Sequence, residues 1–167
     1  HTYTLAHIVT AKFWQNVKEN GLHLTVAETG WGKASWGKIY GQWLCGCGVM
    51  VYDFDVFSPE KLLKVIEDFK VTSFCAPPTV YRYFIKKDMK KFDLSHLEHI
   101  TTAGEALNPE VFEQVHKQTG LQIMEGFGQT ESVLMLGNLV GSTAKIGSLG
   151  KPTPLYNIMI ADNEGNR

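Results

Sequence analysis

Residues 97–124, LEHITTAGEALNPEVFEQVHKQTGLQIM, decide the fold class. Leu97 to Thr102 is a short run containing β-branched residues and reads as a strand. Asn108-Pro109-Glu110 then starts a helix. It offers a capping side chain, a proline at the first helical position and an acid beside the positive end of the helix dipole. Gly120 supplies the residue that closes such a helix, and Leu121 to Met124 returns as a strand. A strand, a helix of about three turns and a second strand form a βαβ unit, whose strands run parallel.

The pattern repeats upstream. Ser58-Pro59-Glu60 begins a helix with Leu62, Val65, Ile66 and Phe69 on one apolar stripe. Val71 to Cys75 follows as a strand, stopped by Pro77-Pro78, and these prolines open a helix through Tyr81 to Lys87. Nearer the start, Thr4 to Val17 reads as a helix ended by Asn20-Gly21, and Leu22 to Ala27 as a strand. Lys33 to Leu44 reads as a helix with Trp36, Tyr40 and Trp43 on one side, and Val49 to Tyr52 as a short strand. Tyr156 to Ala161 is a further strand candidate. The expected fold is α/β: repeated βαβ units forming a mostly parallel sheet flanked by helices. In such sheets ligands collect at the carboxyl ends of the strands. Thr29-Gly30-Trp31, Ala103-Gly104-Glu105 and Gly126 to Glu131 all follow strands.

A length of 167 residues fits one domain. Sixteen Lys and Arg against 17 Asp and Glu leave a net charge of −1 with no basic block, which argues against nucleic acid as a partner. No apolar run approaches the roughly 20 residues that span a bilayer, and no signal-peptide pattern opens the chain. The first residues read as part of a helix and residues 162–167 as a turn with no strand after it, so a piece of a longer protein is expected. Of three cysteines, Cys45 and Cys47 are one residue apart, which suits neither Cys-x-x-Cys redox nor zinc chemistry. Buried thiols are the expectation for them, and the six scattered histidines suggest no metal cluster.

Gly126-Phe127-Gly128-Gln129-Thr130-Glu131 carries the densest chemistry. It is read as a loop after the Leu121 to Met124 strand. Glycines on either side of an aromatic ring let backbone approach a flat ligand. Phe127 offers a face for a base, or a plug for the core. Thr130 offers a donor for phosphate, or a turn cap. Glu131 is a hard oxygen ligand suited to Mg²⁺, or a surface acid. Together with the Gly104-Glu105 turn one βα unit earlier, the placement favours a nucleotide site.

The hexapeptide resembles the Tyr-Gly-Gln-Thr-Glu signature of the adenylate-forming superfamily of acyl-CoA synthetases, luciferases and adenylation domains. Thr102-Ala103-Gly104-Glu105-Ala106-Leu107 resembles that superfamily's adenine-side turn. Glu28 to Lys33, Ala76 to Arg82 and Gly147 to Pro152 resemble further family segments, and the pattern is nearest the medium-chain, butyrate-like acyl-CoA synthetases. The resemblance implies that the chain is a central fragment of an AMP-binding domain. The phosphate loop would lie upstream, and the ribose-binding Asp and a lid domain carrying a lysine downstream.

The resemblance also implies residue roles. Gly104, Glu105 and Ala106 would border adenine, and the nucleotide-binding set would extend over Glu125, Gly126, Phe127, Gly128, Gln129 and Thr130. Thr130 would hold the α-phosphate and Glu131 the Mg²⁺, these two being the catalytic pair. Trp31 and Gly128 would line the acyl pocket, with Gly128 leaving space for an acid longer than acetate. The implied reactants are ATP (leaving as AMP), a short- or medium-chain carboxylic acid and CoA. Transfer to a carrier protein, or ligand binding without catalysis, remains an alternative at this point. A homo-oligomer is compatible with the composition. The expected compartment is the cytoplasm, or the mitochondrial matrix in a eukaryote.

Overall fold

The computed structural model describes residues 2–167, a mixed sheet between two sets of helices. Helix α1 (Thr2–Ile8) runs directly into a π-helical turn (Val9–Trp14). There follow β1 (Leu22–Thr25), α2 (Gly32–Lys38), α3 (Tyr40–Leu44), β2 (Gly48–Met50), α4 (Pro59–Asp68), β3 (Ser73–Cys75) and α5 (Pro78–Phe84). A 3₁₀ turn at Met89–Lys91 precedes β4 (His99–Thr102) and α6 (Pro109–Thr119). The hairpin of β5 (Ile123–Gln129) and β6 (Val133–Gly137) and the short β7 (Lys151–Pro152) complete the chain.

The seven strands lie in the order β2-β1-β3-β4-β5-β6-β7. Pairings from β2 to β5 are parallel, and those of β5 with β6 and β6 with β7 antiparallel. Strand order turns back at β1, which lies between β2 and β3. The local signals act as expected. Ser58 Oγ accepts from Lys61 N–H and Asn108 Oδ1 from Glu110 N–H, while Gly120 closes α6 at φ 76°.

Register explains the two faces of the sheet. Leu24, Phe74, Ile100 and Ile123 align across β1, β3, β4 and β5 and belong to the core that α4, α5 and α6 cover with Leu62, Ile66, Phe84 and Val115. The adjacent residues His23, Ser73 and His99 form an aligned row on the opposite face, since side chains alternate along a strand. On that side Trp14 and Trp36 form a second cluster with Cys75, Ala103, Met124 and Leu134.

Four expectations need correction. Lys33 to Leu44 is broken at Ile39, with Trp36 buried and Trp43 66% exposed, so its aromatics do not share a side. Gly37 and Gly41, each worth about 1 kcal/mol less than Ala in a helix, weaken the run. Both are used for close approach: a Cβ at Gly37 would lie 1.9 Å from Thr25 Oγ1, and one at Gly41 2.3 Å from the His7 carbonyl oxygen. The Thr4 to Val17 helix ends early in the π turn, where Gln15 N–H donates to Thr10 O. Phe69 is the C-cap of α4 and exposed, and Leu63 is buried instead. Tyr156 to Ala161 is not a strand: no neighbouring strand pairs with it among the described residues, and unpaired backbone gains nothing by staying extended.

Candidate active site

A cleft of about 630 Å³ opens at the carboxyl ends of β1, β3, β4 and β5. The β1–α2 connection contributes Trp31, and α2 contributes Lys33 and Trp36. The turn after β4 contributes Ala103, Gly104 and Glu105, and the β5–β6 hairpin contributes Gly128, Gln129, Thr130 and Glu131. Three segments separated by more than 20 residues in sequence thus meet where a parallel sheet offers its ligand crevice.

The hexapeptide is not a loop. Gly126 to Gln129 is the second half of β5, paired antiparallel with β6, and only Thr130 to Ser132 turns. The register shifts between Phe127 and Gly128, which re-aims the strand as bulges do. Ser132 Oγ accepts from Gln129 N–H at 3.2 Å and Tyr156 Oη donates to the Ser132 carbonyl, so the tip carrying Thr130 and Glu131 is tied down. Val133, just after the turn, has φ +56°, an unfavourable conformation for a β-branched residue.

The two glycines serve different neighbours. A Cβ at Gly126 would come within 2.8 Å of the Trp14 ring and of Leu134, so this glycine seats a buried tryptophan under the hairpin. A Cβ at Gly128 would come within 2.0 Å of the Val133 carbonyl oxygen and 2.4 Å of Trp36. Gly128 and Trp36 thus lie in contact and both line the cleft. Thr130 is set by a third glycine: a Cβ at Gly32 would lie 2.3 Å from Thr130 Oγ1.

Gly104 sits at φ +103°, a conformation that glycine adopts without steric penalty. Lys33 Nζ donates to the Ala103 carbonyl, bridging the β1 and β4 sides of the cleft. Glu125, 5% exposed, turns away from the cleft and accepts from Leu107 N–H at 3.0 Å. It holds the far end of the Gly104–Glu105 turn and does not face the crevice.

Of the residues singled out in the sequence, Trp31, Gly104, Glu105, Gly128, Gln129, Thr130 and Glu131 share the cleft. Ala106 and Phe127 are exposed and do not line it, Phe127 being 39% exposed. Gly126 and Glu125 are buried supports. The sequence reading assigned no role to Lys33, Trp36 or Pro77, which also line the cleft. Lys33 lay within a quoted motif, but only the fold brings its amine to β4. No cluster of three or more His, Cys, Asp or Glu able to hold a metal occurs among the described residues.

The sequence model of the AMP-binding enzyme family matches residues 1–167, the whole chain. The chain belongs to that family. Mitochondrial acyl-coenzyme A synthetase ACSM3 of Mus musculus is 38% identical over 99% of this chain, which spans 29% of that relative's length. Among solved structures, the anthranilate CoA ligase AuaEII in complex with anthranoyl-AMP superposes with a TM-score of 0.89 at 26% identity, over 98% of this chain and 32% of that one. An acyl-CoA synthetase of Brucella canis gives a TM-score of 0.88 at 25% identity, over 98% and 31% respectively. The chain thus spans about a third or less of the length of these relatives. No helix among the described residues is long and apolar enough to cross a membrane.

Proposed function

We propose that the chain is the central part of the AMP-binding domain of an acyl-CoA synthetase. That enzyme would activate a short- or medium-chain carboxylic acid with ATP and pass the acyl group to CoA. The observation that carries the reading is the cleft uniting the Gly104–Glu105 turn with the Thr130–Glu131 hairpin tip, in a chain whose relatives are acyl-CoA synthetases. The substrate carboxylate attacks the α-phosphorus of ATP and pyrophosphate leaves. CoA thiol then displaces AMP from the acyl-adenylate.

The residues present divide this work. Trp31, with Trp36 behind Gly128, walls the acyl side. The backbone around Gly104 and the Phe127 ring flank the adenine. Thr130 donates its hydroxyl to an α-phosphate oxygen, where negative charge builds as the bond to the acid forms. The exposed Glu131 in the cleft lining fits Mg²⁺ arriving with the nucleotide, since that ion commonly takes one or two carboxylates and completes its shell with phosphates and water. The ion neutralises phosphate charge when bound. Positioning and charge neutralisation account for the acceleration without a side-chain nucleophile.

The compartment follows from the same reading as cytoplasm or mitochondrial matrix. The test is product analysis on the complete protein: an acid series from acetate to octanoate, with ATP and CoA, should yield AMP, pyrophosphate and acyl-CoA in equal amounts. ADP as the nucleotide product, or no thioester with any acid, overturns the proposal.

A further inference from the structure

The segment Ala76-Pro77-Pro78-Thr79-Val80-Tyr81-Arg82 has so far supplied only a β3 end, a cleft-wall proline and a helix start. Tyr81 Oη donates to the Thr101 carbonyl of β4 at 2.9 Å, and the side chains of Thr79 and Arg82, also on α5, reach the turn after β4. Arg82 Nη2 donates to Glu105 Oε2 at 2.7 Å and to Thr79 Oγ1 at 2.7 Å, and Thr79 Oγ1 donates to Glu105 Oε1 at 3.1 Å.

The turn is held at three points by three other parts of the fold. Lys33 takes the carbonyl of Ala103, and Glu125 takes the N–H of Leu107. These fix the two ends. The apex at Glu105, next to Gly104 with its positive φ, is held among the described residues by the Arg82–Thr79 pair. Glycine leaves such an apex several conformations of similar energy, so a side-chain tether selects among them. The pair is half-exposed, and exposed ion pairs add little to global stability. Its effect is confined to the shape of the turn.

We infer that Arg82 and Thr79 are positioning residues for the nucleotide. By holding the Glu105 carboxylate they preset the backbone apex against which adenine binds, and the carboxylate itself is engaged with α5. This rests on the nucleotide-site reading above but adds residues outside the cleft. A ligand that needs one turn conformer binds more weakly in proportion to the loss of that conformer.

The experiment measures AMP affinity by calorimetry on the complete protein, for wild type, Arg82→Met, Thr79→Val, Arg82→Lys, Glu105→Ala and the Arg82→Met/Glu105→Ala double variant. If the competent conformer falls to about one-tenth, Arg82→Met weakens AMP about tenfold, with the melting temperature and the Michaelis constant for the acid nearly unchanged. Arg82→Lys, still able to reach Glu105, recovers most of the affinity. The double variant binds no worse than the weaker single one, because both break the same tether. Additive losses, or a parallel fall in melting temperature and acid affinity, overturn the inference. Wild-type protein that binds AMP yet activates no acid sinks the proposed reaction and leaves the tether standing. Wild-type protein that does not bind AMP sinks both.

Discussion

Gly32, Gly126 and Gly128, around the hairpin, leave no room for a Cβ, each because of a different neighbour. Gly32→Ala would push on Thr130 at the hairpin tip. The expected outcome is a fall in adenylation rate of about 10²-fold, the order seen when one charge-stabilising donor is displaced, with the acid's Michaelis constant retained. Pyrophosphate exchange checks it, and an unchanged rate argues against Thr130 as the phosphate donor. Gly128→Trp is expected to shift preference toward acetate. Because even a Cβ there meets the Val133 carbonyl and Trp36, it should also destabilise the protein by about 1–3 kcal/mol. Rates with acetate and hexanoate, read beside urea midpoints, separate the two effects. The chemistry of this hexapeptide is legible in the sequence because its residue types are adjacent. Which glycine serves Trp14 and which serves Trp36 is not, since both tryptophans lie about 90 or more residues away in sequence. Glu125, one residue before the motif, shows the same limit: its bond to Leu107 N–H joins residues 18 apart and is set by the fold.

Elements were legible where their signals are local. Ser58, Asn108 and Gly120 mark helix ends through bonds spanning a few residues. The break at Ile39 goes with the close approach of Gly37 to Thr25 and Gly41 to His7, whereas the π turn and the β5–β6 hairpin are local but leave no apolar periodicity to read. The histidine row is likewise a product of register. His23 hydrogen-bonds Ser73 Oγ at 2.7 Å and Thr25 Oγ1 at 2.8 Å, and His99 Nε2 donates to Trp14 O at 2.7 Å. Burial lowers His23 to about 3, helped by His99, lowers His7 to about 4, and lowers His99 as well. These groups stay neutral when folded but take a proton near 6.5 when unfolded. The stability they contribute is present above about 6.5 and is lost as pH falls toward their folded values, at up to about 1.4 kcal/mol per pH unit for each. Urea midpoints between pH 7 and 4 should therefore fall steeply. His7 stacks on Tyr40, and neither ring nitrogen has a partner among the described residues. His7→Phe is expected to stay within about 1 kcal/mol of wild type at neutral pH and to flatten the acid slope. A slope unchanged in that variant contradicts the burial argument.

For the molecule as a whole, the alternation of strands and capped helices gives the parallel part of the sheet and the rim that carries the cleft. The antiparallel end was hidden because β6 is read only through its partner β5. Spanning 29% of an acyl-coenzyme A synthetase relative, this chain holds the Gly104–Glu105 turn, the hairpin tip and the Trp31–Trp36 side of one cleft. The 167-residue chain alone is accordingly expected to release no pyrophosphate above a blank. In the complete protein, the direct measurement is exchange of radiolabelled pyrophosphate into ATP, with and without butyrate, for wild type and Glu131→Ala. Acid-dependent exchange in the wild type, reduced at least about 10²-fold in the variant, is the expected result. Exchange that is absent with every acid, or that survives Glu131→Ala unchanged, would contradict the assignment of this cleft as an acyl-adenylate site.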